Sequence, residues 1–126
     1  MTRINCGIPP SELIDKHLLA EHREIKRIPN MIKSGKAKII NIPENFTLGK
    51  GHVKFFYNKL MYLRNRYQLI YNQCLKRGFN VTYFGDAFTD LPKELFKDYI
   101  PSITDKLIIR KRIKERLSKS INKLNI

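Results

Sequence analysis

The chain has 126 residues, 42% of them hydrophobic, and 25 lysines and arginines against 11 aspartates and glutamates give a formal charge of +14. That length fits one domain, no apolar run approaches the roughly 18–20 residues that cross a bilayer, and the first ten residues lack the basic start and continuous apolar stretch of a secretory signal. The charge lies well beyond the mixed surface of an ordinary soluble domain and implies an anionic partner, most simply a phosphate backbone, since each neutralised phosphate releases condensed counterions, with an anionic membrane surface the less supported alternative. Cys6 and Cys74 have no CxxC spacing and His17, His22 and His52 form no metal-ligand pattern, so no disulfide framework, metal or other cofactor is expected.

Pro9 and Pro10 fix an extended approach to a first helix, and Ser11 can accept a bond from an orphan N–H at its start. Ile14, Leu18, Ile25 and Ile32 recur at helical spacing and predict a core stripe, with a break or kink at Pro29, after Ile28, and an end at the Ser-Gly-Lys of 34–36. From His52 to Arg77, positions Val53, Phe56, Leu60, Leu63, Tyr67, Ile70 and Cys74 alternate steps of three and four without a miss, the pattern of one long helix with a core stripe. Gly51 precedes it, and Gly78 stands where a left-handed C-terminal cap is needed, with Lys76 and Arg77 complementing the helix dipole. Cys74 reads as a small buried hydrophobe; His52, Phe55, Phe56 and Tyr57 read as scaffold.

Residues 79–101 are irregular apart from a short helical turn around Leu91 to Phe96, with Asp90 placed to cap it and Pro92 in its first turn. After Pro101, Ser102 and Asp105 have the spacing of a capping box. The last helix then runs its apolar seam through Ile109, Ile113, Leu117, Ile121 and Leu124. Its other face is basic: Lys106, Arg110, Lys111, Arg112, Lys114, Arg116, Lys119 and Lys123 accompany a single acid, Glu115. The expected architecture is all-α, a single compact domain over 1–126 of three main helices packed side by side, with irregular connecting loops and an extended N-terminal segment.

On the first helix His17, Ala20, Arg23, Glu24 and Arg27 fall along one stripe, which sets a carboxylate among cations. Spacing alone fits a solvated face in which Glu24 pairs with Arg27.

Five segments carry more. MTRIN at 1–5, DKHLLAEHRE at 15–24, LGKGHVKFFYNKL at 48–60, CLKRGFN at 74–80 and DLPKELFKDYIP at 90–101 resemble, in this order, segments of the phage-type endonuclease V family of pyrimidine-dimer DNA glycosylases. LGxGHVxFFY and CLKRGFN are the most specific of them. The resemblance implies double-stranded DNA with damaged bases or abasic sites as the partner, wherever in the cell that DNA resides, the cytoplasm included. It also implies an enzyme that excises cyclobutane pyrimidine dimers and nicks the strand as an abasic-site lyase. The nucleophile it implies is the α-amine of Thr2, freed by loss of Met1, which attacks the sugar C1′ and forms a Schiff base that permits β-elimination. An α-amine suits this, with a pKa around 7.7–8.0 against about 10.4 for lysine, and a retained Met1 would displace the amine by about 3.8 Å.

Glu24 matches the family's general acid/base carboxylate. Arg23 and Arg27 match phosphate-binding arginines, and Arg3, beside Thr2, is placed to hold a phosphate too; His17 falls in the matched segment, to contact DNA or order Glu24, or else to serve as a core or hydrogen-bonding residue. Lys16 and His22 depart from an uncharged amide and an aromatic residue of the phage pattern, and the basic C-terminal segment replaces a tail rich in Tyr and Trp. Two alternatives stand beside the dimer-specific reading: a relative with a different lesion preference, and a non-enzymatic helical DNA-binding protein. A monomer is expected.

Overall fold

The computed structural model describes the backbone of residues 2–124 and the side chains of residues 2–119. Among them all regular structure is helical: α1 (Asp15–Glu24), α2 (Arg27–Lys33), α3 (His52–Phe55), α4 (Leu60–Lys76) and α5 (Ile103–Leu124), joined by short 3-10 turns and loops. α4 is the axis of the core. Its Leu60, Leu63, Tyr67, Ile70 and Cys74 are buried, with Leu18 of α1, Ile25 just after it and Ile28 of α2 in the same cluster, the large aliphatic side chains contributing about 1.5–3 kcal/mol each by leaving water.

The first helix starts and breaks elsewhere than its sequence suggests. Pro10–Glu12 form a 3-10 turn, Ser11 caps nothing, and α1 begins only behind Ile14, which is exposed rather than part of the core stripe. The start of the helix is fastened from outside. Arg77 donates to Asp15 Oδ1 at 2.9 Å and to the carbonyls of Leu13, Pro10 and Ser11 at 2.6, 3.3 and 3.3 Å. The break falls at Ile25 and Lys26, ahead of Pro29, which sits in the first turn of α2, where its missing N–H leaves no bond unmade. α2 ends at Lys33, with Gly35 at φ 77°.

The stripe from Val53 to Cys74 does face the core, but not from one continuous helix. α3 gives way to a 3-10 turn over Phe56–Asn58, and Lys59 leaves helical geometry at φ −126°, ψ 41°. No glycine or proline marks the site. The cause is tertiary: the Lys97 carbonyl accepts from the amides of Met61 and Tyr62 at 3.2 and 3.3 Å, supplying two orphan donors of the new helix. The Lys59 ammonium reaches back to the Phe55 carbonyl at 2.8 Å. α3 then turns its aromatics inward, where Phe55 and Phe56 meet edge-on with centroids 5.1 Å apart. At the other end Gly78, at φ 84°, closes α4 with the amides of Gly78 and Phe79 on the carbonyls of Leu75 and Cys74, at 2.9 and 3.0 Å.

Between residues 79 and 101 the helical turn is a 3-10 segment at Lys93–Leu95, preceded by another at Gly85–Phe88. Asp90 enters it in left-handed backbone, φ 55°, without a side-chain cap. The capping box of α5 forms as spaced: Asp105 N–H donates to Ser102 Oγ at 3.0 Å and Ser102 N–H to Asp105 Oδ2 at 3.1 Å. Ile109 is fully buried, and Ile113 packs against the core; the side chains of Ile121, Lys123 and Leu124 lie outside those described. None of the described helices is long and apolar enough to cross a membrane.

Candidate active site

Residues 2–8 form an arm without helix or strand, so its polar groups need partners from elsewhere. They find them on four helices. Arg3 N–H donates to Glu24 Oε1 at 3.0 Å, and Ile4 N–H to His52 Nε2 at 3.0 Å. The Asn5 side chain donates to Glu21 Oε1 at 2.8 Å and accepts from Arg112 at 3.0 Å. Gly7 N–H donates to the Tyr62 hydroxyl at 3.1 Å, and the Ile8 carbonyl accepts from Arg66 at 2.9 Å. Ile4, Cys6 and Ile8 are buried on the other side. Burial pushes the Cys6 thiol up to about 12, leaving a protonated packing group.

Two buried polar devices hold this bed. Glu21 of α1 and Arg66 of α4 form a two-bond ion pair through the Nε and Nη2 of the guanidinium, both side chains buried. Burial opposes the charge on Arg66, but the Glu21 carboxylate outweighs it and raises the guanidinium above its ordinary value. His52 is 3% exposed. Its Nδ1 lies 2.9 Å from the Thr47 carbonyl, which can only accept, so Nδ1 carries the proton and Nε2 is the acceptor for Ile4. Burial lowers the ring to about 4, against the smaller opposing effect of the Thr47 carbonyl, so it is neutral near pH 7.

The inward stripe of α1 is His17, Glu21 and Glu24, at steps of four and three. The expected stripe of His17, Ala20, Arg23, Glu24 and Arg27 does not act as one face. His17 is buried, whereas Arg23 and Arg27 are exposed. The expected Glu24–Arg27 pair is absent among the described ion pairs, because Glu24 binds the arm instead. Arg27 still approaches the arm's beginning: together with Thr2, Asn30, Met31, Ser34 and Lys36 it lines an open cavity of about 400 Å³. Arg23 offers only its carbonyl, to Lys26 Nζ at 2.8 Å, and its side chain points to no described partner.

α5 adds what the sequence did not single out. Burial lowers the His17 pKa, followed by the charges of Arg116, Lys16, Arg112 and Arg3, so these cations converge on the ring. Burial also lowers Arg112, to about 10, with Arg3 and Arg116 pressing the same way. Arg116 is depressed by burial and by Arg3, with Glu24 opposing. His17 Nδ1 and Arg112 Nε are enclosed without a hydrogen-bond partner among the described residues. Arg3, Arg112 and Arg116 press on one another, and of the two carboxylates that offset them Glu21 is already paired with Arg66, so the site keeps an uncompensated positive charge. Such a site suits a polyanion. A group of three or more His, Cys, Asp or Glu able to hold a metal ion is absent among the described residues.

Glu21, Arg66, His52, Asn5, Arg112 and Arg116 therefore join the residues foreseen at the site. A signal existed for one pair: Glu21 lies between His17 and Glu24 at helical spacing, and Arg66 falls on the apolar stripe between Leu63 and Ile70. Opposite charges on two buried faces predict each other.

A helical protein with its amino-terminal arm locked beside a carboxylate, under a cluster of arginines, is what the fold and this geometry define. The family model described as pyrimidine dimer DNA glycosylase matches residues 1–84, two thirds of the chain, and the protein belongs to that family. The matched span contains the arm and α1 to α4; α5, with Arg112 and Arg116, lies beyond it.

Proposed function

We propose that the chain excises UV-induced pyrimidine dimers from double-stranded DNA and then cuts the strand, with the α-amine of Thr2 as nucleophile and Glu24 as general acid/base. The observation that carries this reading is the 3.0 Å hydrogen bond from the Arg3 amide to Glu24 Oε1. Thr2 immediately precedes that amide, and one residue spans about 3.8 Å, so the second oxygen of the carboxylate is within reach of a sugar bonded to the Thr2 nitrogen.

The unprotonated amine, exposed by removal of Met1, attacks C1′ of the damaged nucleotide. The N-glycosidic bond breaks and its electron pair leaves with the base, which takes up the proton that the amine loses; the C1′–O4′ bond then opens with its electron pair on O4′, which Glu24 protonates. Closure to the imine gives a Schiff base. The imine acidifies C2′, Glu24 carries away that proton, and the 3′ phosphate departs with its electron pair. Water then hydrolyses the imine and restores the amine. Clustered cations favour the neutral amine over the ammonium. Arg3, Arg112 and Arg116 hold phosphates near the reacting sugar, Arg23 and Arg27 hold the flanking backbone, and His17 offers its unpartnered nitrogen to the DNA or to a bridging water.

Borohydride trapping tests this on an irradiated duplex and on an abasic duplex, using protein shown by mass to begin at Thr2 and a variant blocked at its N-terminus. The expected result is a covalent adduct on both duplexes that the blocked protein does not form. Absence of any adduct defeats the enzymatic mechanism. An adduct on the abasic duplex alone reassigns the chain to abasic-site lyase, and one on a duplex with ring-opened purines but no dimers reassigns its lesion.

A further inference from the structure

Between α2 and α3 the chain is fastened on both sides of a short excursion and stands out in its middle. On the near side the amides of Lys36 and Ala37 donate to the Met31 carbonyl at 3.1 and 3.2 Å, and Ala37 packs against the core. On the far side Ile42 packs against the core, Phe46 is buried in it, and the Thr47 carbonyl accepts from His52 Nδ1 at 2.9 Å. The residues between, Lys38 to Asn41, are all exposed. Two of them are large and apolar, Ile39 at 38% and Ile40 at 61% exposure. Asn41 turns the chain back in left-handed backbone, φ 53°, which asparagine tolerates. Among the described residues no other two exposed large hydrophobics are chain neighbours.

The tip stands beside the cavity at Thr2. Lys36 lines that cavity together with Thr2 and Arg27, and a chain that advances at most about 3.6 Å per residue keeps Ile39 within about 11 Å and Ile40 within about 14 Å of Lys36. That reach is about four base steps of a duplex. Its charge is free and of one sign. Lys36 and Lys38 are exposed and enter none of the described ion pairs, and the only acid between Glu24 and Asp86 is Glu44, beyond Pro43. Size decides the occupant. Four residues cannot supply the roughly 800 Å² per partner of a stable protein interface, whereas one or two apolar side chains flanked by cations fill a single opened base step.

We propose that Ile39 and Ile40 are a wedge that enters a base step of duplex DNA within about four pairs of the reacting sugar, with Lys36 and Lys38 on the adjoining phosphates. This rests on the DNA-repair reading above and adds to it the means of opening the stack. C1′ of a stacked nucleotide is shielded by its neighbours, so the Thr2 amine gains access to it where the duplex is unstacked and bent.

Binding alone tests the wedge, on duplexes that carry an uncleavable tetrahydrofuran abasic analogue and 2-aminopurine at each of the nearest four steps in turn. The wild-type chain raises the fluorescence at one of those steps as it unstacks, and the double variant Ile39→Ser with Ile40→Ser cuts that rise by at least about threefold. In single-turnover cleavage of irradiated duplex the double variant is slower by about tenfold or more, yet it stays within about twofold of wild type on a duplex whose pairs around the lesion are mismatched and already unstacked. Ile40→Phe, apolar still, retains both the fluorescence rise and the cleavage. A rise that survives in the double variant overturns the wedge, and so does an equal loss of cleavage on matched and mismatched duplexes. Failure of the Thr2 chemistry shows instead as absence of a trapped adduct, which leaves the fluorescence on the uncleavable duplex unaffected.

Discussion

The arm of residues 2–8 and helix α5 meet at the bond between Asn5 and Arg112, 3.0 Å long, and they are held in opposite ways. The arm has no regular structure, yet side chains from four helices satisfy its amides, its one carbonyl toward Arg66 and its asparagine. α5 is 22 residues of regular helix, satisfies its own backbone, and is held by a capping box, the Ile109–Ile113 seam and the bonds of Arg110 to Glu12 and Arg112 to Asn5. The difference follows from where backbone hydrogen bonds go. A segment that bonds to itself only through the Ile8 amide and the Asn5 carbonyl, at 3.2 Å, must borrow its other partners, and those partners fix its position. Position is the arm's contribution and charge is that of α5.

Breaking the chemistry while sparing the arm has the largest expected effect. Glu24→Gln keeps an oxygen for the Arg3 amide, so the arm stays, but a carboxamide does not accept the C2′ proton. Strand cleavage in single-turnover assays falls by roughly 10²–10⁴, while damaged duplex is still bound. Unchanged cleavage removes Glu24 from its role.

Next comes the bed under the arm. Arg66→Met leaves Glu21 buried without its partner and costs about 3–5 kcal/mol in denaturant unfolding. The double variant Glu21→Leu with Arg66→Met is less destabilised than Arg66→Met alone, because two matched apolar groups need no partner. It nevertheless leaves Asn5 and the Ile8 carbonyl unheld. Recovered stability with slowed cleavage is the signature of a network that positions the arm; recovery of both would make the pair merely structural.

His52 sharpens the comparison at a single bond. Glutamine can offer an oxygen to the Ile4 amide and asparagine is too short to do so. His52→Gln therefore retains most cleavage, whereas His52→Asn loses about 1–3 kcal/mol of arm stabilisation with the unmet buried amide. The same ring makes the fold acid-sensitive. Between its ordinary value of 6.5 and about 4 in the folded protein, the unfolded chain binds a proton that the folded chain does not, so stability rises with pH across that window. The contribution is complete above about pH 6.5, and roughly 3 kcal/mol of it is lost on acidification to about pH 4. His17 and His22, both lowered by burial, act in the same direction. Urea midpoints across this range should flatten in His52→Gln; an unaltered slope assigns the acid sensitivity to other groups.

How much of this was visible in the chain depends on where each interaction lives. The all-helical class, the core stripe of α4, its glycine cap at Gly78 and the capping box at Ser102 were legible because each is written in spacing within one segment. The interruption at Lys59 was not, since the carbonyl that starts α4 belongs to Lys97. The phase of α1 was misjudged because Glu21, the acid that faces inward, looks like a solvent residue until Arg66 is set against it. Thr2, Arg3, Glu24 and Arg27 were drawn into one site by resemblance; the Arg3–Glu24 bond and the cavity shared by Thr2 and Arg27 bring them near one another. Arg112 and Arg116 were counted only as part of a basic face, because which cations of a helix turn toward an arm more than a hundred residues away is a tertiary fact.

The smallest effects separate the two kinds of cation on α5. Lys111 and Lys114 are exposed, while Arg112 and Arg116 are partly enclosed against the arm. Replacing any one of the four by glutamine removes at most one phosphate contact, so the slope of log affinity against log salt becomes shallower by about one unit in each. Only the arginines should also move the chemistry. A nearby cation disfavours the ammonium form of the Thr2 amine and lowers its pKa; removing Arg116, which presses on Arg3, raises that pKa and shifts the acid limb of the pH–rate profile upward. Lys111→Gln and Lys114→Gln leave the limb where it is. If all four variants change the salt slope and none moves the limb, the arginines of α5 hold DNA in the same manner as its outer lysines, and the neutral amine is set by the arm and α1 alone.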